Sequence, residues 1–266
     1  MRRMLVCGLV AAAILLPTAT AEAAPALSAL TTTPGTAWWN DGTLRVSLDD
    51  TVRPAVAAAL TRAVTRTGGT VLREPGTRRP HIAGGDTFNA GAVGGRCLIA
   101  FNAKAGATYY FLTAAHCVPV VGATVYAGTG TSTVLGVVAA RDTTYDYALV
   151  RYTNTTIAKP SAVGLQPIST FAAGTVGQTV RRAGPNGIRT GTITALNVTI
   201  NYAGGTVYGM IRTTVCSEPG ESGGPLFAGT AGIGINWGGS GNCATGGASY
   251  YSSVRRAATS YGVAPY

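Results

Sequence analysis

From residue 82 onward the chain predicts an all-β domain, a sandwich or barrel of many short strands. Three observations carry this reading. Runs rich in β-branched and aromatic residues recur about ten times, divided by turn stretches such as "GPNG" (184–187) and "AGG" (203–205). Glycine is abundant at 37 residues, and charged residues make up 11% against roughly 25% in typical soluble domains. No strong internal helical period interrupts the runs. A hydrophobic content of 46% excludes a disordered chain, and 266 residues suffice for one or two domains with a real core.

In chain order, "MRRMLVCGLVAAAILLPTATAEAAPA" comes first. It places Arg2 and Arg3 before an apolar run from Met4 to Leu16, then Ala21-x-Ala23. This predicts a secretory signal peptide over 1–23, cleaved near Ala23, and hence an exported protein. The apolar run is shorter than the roughly 20 residues that a membrane span needs. Residues 24–81 form a separate small α+β unit. "TLRVSLDD" reads as a strand, and Val52, Val56, Leu60 and Val64 make one helical stripe. Asp50 or Thr51 is the expected cap, Pro54 lies in the first turn, and Gly68-Gly69 stops the helix. "TVLRE" is a second strand, then comes the exposed-looking linker "EPGTRRPH". Strands are then expected in "RCLIAFNA", "TYYFLTAA", "ATVYAG", "STVLGVVAA", "DYALVRY", "TVGQTVRRAG", "RTGTITALNVTINY", "TVYGMIRTTV", "GPLFAGTAGIGINW" and "ASYYSSV". The end, "SSVRRAATSYG", predicts a helix capped by Ser252 or Ser253 and stopped by Gly262.

Cys7 leaves with the signal peptide, so Cys97, Cys117, Cys216 and Cys243 remain. An even number in an exported chain predicts two disulfides, with three connectivities open. Zinc binding is disfavoured, because no C-x-x-C pair exists and the chain has two histidines. The net charge is +10 overall and +6 from residue 82 onward, where eleven Lys and Arg face five Asp and Glu. The arginines are scattered without interleaved aromatics, which argues for solubilising charge and against a nucleic-acid surface.

The stretch "CSEPGESGGPLF" (216–227) sets Ser222 among glycines. A serine hydroxyl is a weak nucleophile unless a base takes its proton. Of the two histidines, His81 sits in the linker and His116 in "FLTAAHCV", directly after an apolar strand. His116 is therefore the candidate base. A histidine base needs an acid to fix its tautomer. Asp146, in "YDYALVRY" at the mouth of a strand, is the candidate, whereas Asp142 reads as a solvated turn residue.

The order His116, Asp146, Ser222, with "LTAAHC", "DYALV" and "CSEPGESGGPL", resembles the chymotrypsin-like serine peptidases. "IAGG" (82–85), "GGRC" (94–97), "VRYTNTT" (150–156), "VYGMIRTTVCSEPG" (207–220), "GGSGNC" (238–243) and the ending "YGVAPY" are similar to the secreted bacterial streptogrisin-type branch. The resemblance covers essentially all of 82–266. It implies two antiparallel Greek-key β-barrels, about 82–165 and 166–252, and a C-terminal helix at about 253–262. It implies the disulfides Cys97–Cys117 and Cys216–Cys243 and a mature N-terminus at Ile82. Residues 24–81 become a pro-region that assists folding and acts as a transient inhibitor of the cleft.

The resemblance also assigns roles. Ser222 attacks a peptide carbonyl, His116 moves the proton, Asp146 holds the imidazole, and the N–H groups of Gly220 and Ser222 form the oxyanion hole. Thr214–Ser217, Trp237–Gly239 and Thr245–Ala248 would wall the specificity pocket, with Val215, Ser217, Trp237, Gly238 and Gly239 as substrate-binding residues. None of these is charged, so large hydrophobic or aromatic residues are expected before the scissile bond. Glutamate-specific relatives look for a histidine near position 236, where this chain has Asn236. The implied enzyme is a secreted monomeric endopeptidase acting on proteins or peptides. It has no metal, cofactor, nucleic-acid or membrane partner. An inactive homologue that binds extended peptides is the competing reading. Two departures from the family stand out. Glu221 replaces the usual aspartate before the serine, with Arg181 or Arg182 as its expected partner. Trp237 replaces a serine whose hydroxyl supports the catalytic aspartate.

Overall fold

Pro54 decides where the first helix begins. Its ring fixes φ, it has no N–H to donate, and it keeps the preceding residue extended. In the computed structural model, which describes residues 28–40, 42–74, 82–91 and 96–266, helix α1 therefore runs Pro54–Arg66 behind an extended Arg53 at φ −53° and ψ 142°. This corrects the expected cap. Asp49 instead spends its Oδ1 on the N–H and hydroxyl of Thr51, at 2.9 and 2.5 Å, in a turn before the helix. The chain divides into two compact units, one ending at Arg79 and one starting at Pro80. In the first, α1 buries Ala57, Leu60, Ala63 and Val64. The accompanying sheet is β1 (Thr36–Asn40), β2 (Leu44–Leu48) and β3 (Thr70–Arg73), with β2 central. Strand β1, "TAWWN", escapes the sequence reading. The expected signal peptide, Cys7 and His81 lie outside the described residues.

The second unit is built from two β-barrel-like sheets. The first contains β4 (Thr87–Asn89), β5 (Arg96–Leu98), β6 (Phe101–Ala105), β7 (Thr108–Thr113), β8 (Thr124–Ala127), β9 (Val134–Asp142) and β10 (Tyr147–Tyr152). They pair antiparallel in the order β5-β4-β8-β9-β10-β7-β6. "RCLIAFNA" therefore breaks into β5 and β6. A two-strand link, β11 (Ala162–Val163) and β12 (Gln166–Pro167), leads to the second sheet. That sheet comprises β13 (Thr170–Phe171), β14 (Thr179–Gly184), β15 (Gly187–Tyr202), β16 (Gly205–Thr213), β17 (Pro225–Ala228), β18 (Ala231–Asn242) and β19 (Gly246–Ser253). Its order is β13-β18-β17-β14-β15-β16-β19, and a further β18–β19 pairing closes it.

Packing separates the two barrels in character. Barrel one has an aromatic core in which Phe111 sits 5.3 Å from both Phe88 and Tyr152, ring centre to ring centre. Barrel two buries Val180, Ile193, Ile211, Val215, Leu226, Ile233 and Tyr251. Helix α2 (Val254–Tyr261) comes after β19, with Ser253 accepting the Arg256 N–H at 3.3 Å and Gly262 in the left-handed region at φ 64°. Its buried Val254, Ala257 and Ala258 join the core of barrel one, as does Val263. The tail then pairs with β6: Lys104 and Ala264 exchange two backbone bonds of 2.8 and 3.0 Å. No helix among the described residues is long and apolar enough to cross a membrane.

Candidate active site

Barrel one delivers His116 and Asp146 from neighbouring turns. Strand β7 ends at Thr113, and a short 3-10 turn, Ala115–Cys117, carries His116 beyond it. The Cys97–Cys117 disulfide fastens that turn to β5. Arg141 braces it further, donating to the carbonyls of Ala115 at 3.1 Å and Pro119 at 2.5 Å. Asp146 lies where β9 turns into β10, in a left-handed conformation at φ 52° that aspartate tolerates better than most residues. Asp142 shapes this turn, its carboxylate accepting the N–H groups of Thr144 and Tyr145 at 2.8 and 3.2 Å.

Asp146 is 4% exposed, so its carboxylate needs donors. His116 supplies both. Its backbone N–H reaches Oδ1 at 2.9 Å, and its ring Nδ1 lies 2.8 Å from Oδ2. A carboxylate oxygen accepts, so a neutral imidazole in this contact carries its proton on Nδ1 and keeps a lone pair on Nε2. Ser252 Oγ donates to the Asp146 carbonyl at 3.0 Å from barrel two. Among the described residues no other side chain donates to the Asp146 carboxylate. Trp237, expected to stand where a family serine would support this aspartate, packs instead against Tyr202 and Tyr250, with centroids 5.2 and 6.4 Å away.

Barrel two delivers Ser222. The turn before β17 is held by a buried ion pair: Arg182 Nη1 meets Glu221 Oε1 at 2.5 Å, both side chains 2% exposed. Arg182 Nε also donates to the Cys216 carbonyl at 2.8 Å, while Glu221 Oε2 accepts the Glu218 N–H at 2.8 Å. Asn236 Nδ2 holds the Glu221 carbonyl at 2.9 Å. The longer glutamate is thus absorbed into the packed site. Strand alternation selects Arg182 over Arg181. Arg182 shares a face with the fully buried Val180, whereas Arg181 turns outward over the Phe227 ring at 5.6 Å. The second disulfide, Cys216–Cys243, ties the start of this turn to the end of β18.

Two glycines then fix where Ser222 sits. Gly223, at φ 81°, presses against barrel one, where a Cβ would lie 2.3 Å from Thr113 Oγ1 and 2.5 Å from the Leu98 carbonyl. The Leu98 N–H donates to the Ser222 carbonyl at 2.8 Å, a bond across the two barrels. Gly220, at φ 85°, turns the chain so that the N–H groups of Gly220 and Ser222 have no acceptor among the described residues, while the Glu221 N–H between them bonds to Glu218. Two unspent donors on one turn make an anion-binding concavity.

His116, Gly220 and Ser222 line one cavity of about 570 Å³, together with Arg96, Cys97, Thr129 and Pro219. No hydrogen bond joins the imidazole to Ser222 Oγ among the described residues. Such contacts commonly tighten only when substrate is bound. Beyond Asn236, whose carbonyl accepts the Gly223 N–H at 2.7 Å, the outward edge of β18 runs on past a bulge at Trp237. Ser217 Oγ bonds to Ser249 Oγ at 2.9 Å, and Val215 is wholly buried. Cys97, His116 and Cys117 are the one cluster of metal-ligand atoms among the described residues. Its two sulfurs are bonded to each other and offer no thiolate. The bracing by Arg141, Asn236 and Ser252 is absent from the sequence reading. Only Arg182 left a legible signal there, its i+2 spacing from Val180.

Two β-barrels that present a histidine–aspartate pair and a serine to one cavity define a chymotrypsin-like serine peptidase. Residues 99–233 match the trypsin-like peptidase domain. Streptogrisin-A of Streptomyces griseus is 39% identical over 86% of this chain and 77% of its own. A solved glutamic acid specific serine protease, which uses a histidine triad in substrate binding, is 40% identical with a TM-score of 0.65, covering 70% of this chain and all of that one. The structure of a Cellulomonas bogoriensis chymotrypsin is 37% identical with a TM-score of 0.60, over 70% of this chain and 98% of that one. The chain belongs to the chymotrypsin-like serine peptidases, in their streptogrisin branch, and is a serine endopeptidase.

Proposed function

We propose that this endopeptidase works through His116, Asp146 and Ser222, and that it cuts after large hydrophobic or aromatic residues. Ser222 Oγ attacks the scissile carbonyl while His116 Nε2 takes its proton, and Asp146 stabilises the imidazolium. The oxyanion accepts from the N–H groups of Gly220 and Ser222. His116 then protonates the leaving amine, which departs, and water repeats the sequence on the acyl-enzyme. The observation that carries this reading is the half-buried His116–Asp146 contact, at 2.8 Å, beside the cavity that Ser222 and the unspent donors line. A fluorophosphonate tests it. Mature protein should gain one adduct, on Ser222, and a folded sample that gains none would overturn the assignment.

The pocket preference rests on chemistry. The walls at 214–217, 237–239 and 245–248 hold no ionised side chain. The neighbouring Glu218 carboxylate is engaged with the Cys243 N–H at 2.8 Å. A lysine or arginine before the scissile bond would find no counter-ion. A glutamate would find no histidine set, because the chain's two histidines are His81 and His116. Substrate residues before the scissile bond would add to the edge of β18 as a strand, with Trp237 and Gly239 supplying backbone partners. Cleavage-site profiling on a peptide library checks this, and enrichment of Glu or Lys at that position would refute it.

Residues 1–23 are proposed as a signal peptide for export and 24–81 as a pro-region released by cleavage before Ile82. The Ile82 N–H already donates to the Ala158 carbonyl at 2.9 Å, a bond that a new α-amino group can keep. Self-processing predicts that a Ser222→Ala precursor stays unprocessed in a protease-free preparation.

A further inference from the structure

We infer that Arg96 reads the substrate residues on the leaving-group side of the scissile bond and favours an acidic side chain there. The inference rests on the catalytic reading above and extends it beyond the bond that is cut. Arg96 is exposed at the start of β5, and its neighbour Cys97 is bonded to Cys117, beside His116. One covalent link therefore positions both the base and this cation. An atom in place of the missing Gly220 Cβ would lie 3.1 Å from Arg96 Nη2 and 3.4 Å from Nε, so the guanidinium lies over the oxyanion turn.

The charge is unspent. Among the described residues the Arg96 side chain has no hydrogen bond or ion pair, and the five acids of this unit are committed elsewhere. Asp86 takes the Ala83 N–H, Asp142 its own turn, Asp146 His116, Glu218 the Cys243 N–H and Glu221 Arg182. The placement assigns the side. The residues before the scissile bond have β18 and the walls at 214–217, 237–239 and 245–248, none of which lines the cavity of Arg96, His116, Gly220 and Ser222. The leaving-group half of the substrate therefore exits through that cavity, past the Arg96 guanidinium on its rim. A carboxylate on the first or second residue after the bond gains an opposite charge there, and an ammonium meets a like one.

The test uses mature enzyme and internally quenched peptides that share every residue up to the scissile bond. They carry Glu, Gln or Lys at the first or second position after it. The wild type should show kcat/KM for Glu about three- to tenfold above Gln, with Lys lowest. The Glu-to-Gln ratio should fall to about one in Arg96→Gln, and Lys should overtake Glu in Arg96→Glu. The wild-type preference should shrink between about 0.05 and 0.5 M salt, as screening demands. Equal wild-type rates for Glu and Gln overturn the inference, as does a ratio that survives in Arg96→Gln or ignores salt. An equal loss on all three peptides in Arg96→Gln would instead assign the arginine to the oxyanion and overturn it too. If the variants fail to fold, the wild-type ratio and its salt series decide alone. If the wild type cuts no peptide, the catalytic reading falls first.

Discussion

The two barrels solve different problems. Barrel one is stiffened by packed rings, Phe88, Phe111 and Tyr152 among them, and brings the His116–Asp146 pair to the site on braced turns, with Arg96 of β5 beside it. Barrel two has a smaller, mostly aliphatic core, and its working part is a turn held by Arg182, Glu221, Asn236 and a disulfide. One barrel sets His116 and Asp146 on turns that a disulfide, Arg141 and Asp142 brace at the end of an apolar core. The other fixes backbone N–H groups through polar contacts and leaves a strand edge open. The lesson is that an apolar core supplies the platform, whereas the turns that carry the site need directional bonds.

Four substitutions press on that contrast. Ser222→Ala should cost about 10⁶-fold in kcat, on the scale seen when a nucleophile that acts as part of a unit is removed, with circular dichroism unchanged. Arg182→Ala strands a buried carboxylate and should cost about 3–5 kcal/mol in urea unfolding. It should also lower kcat by about 10²-fold, because the oxyanion turn loosens. Phe111→Ala should cost a similar 3–5 kcal/mol through a cavity, yet leave kcat of the folded enzyme within about threefold. If Phe111→Ala and Arg182→Ala damage kcat equally, the division of labour fails. Trp237→Ser should have the smallest effect. It removes the ring that Tyr202 and Tyr250 pack on, so stability should fall by about 1 kcal/mol or less. Selectivity for the residues before the scissile bond should change more than kcat, as a library profile would read.

Much of this was legible in the sequence. The ten expected runs all contain strands, because half-buried strands carry a period of two that short turns punctuate. The N-terminal strand "TAWWN" was not legible: its residues are half-buried or exposed and carry no alternation. Nor were β4 or the two-residue pieces β11, β12 and β13, too short to show a period. Ser222, His116 and Asp146 could be singled out because each type is scarce or oddly placed. Their supporting contacts could not. Leu98 donates to Ser222 from more than a hundred residues away, and no local pattern encodes a backbone bond across a seam.

That last bond has a mechanical consequence. Because the Ser222 carbonyl is anchored to β5 while its own turn belongs to barrel two, the barrels cannot slide or part without dragging Ser222. The serine is thus a built-in strain gauge. Its rate of covalent trapping under rising denaturant or pressure would register separation of the halves while spectroscopic markers of each sheet still read as folded.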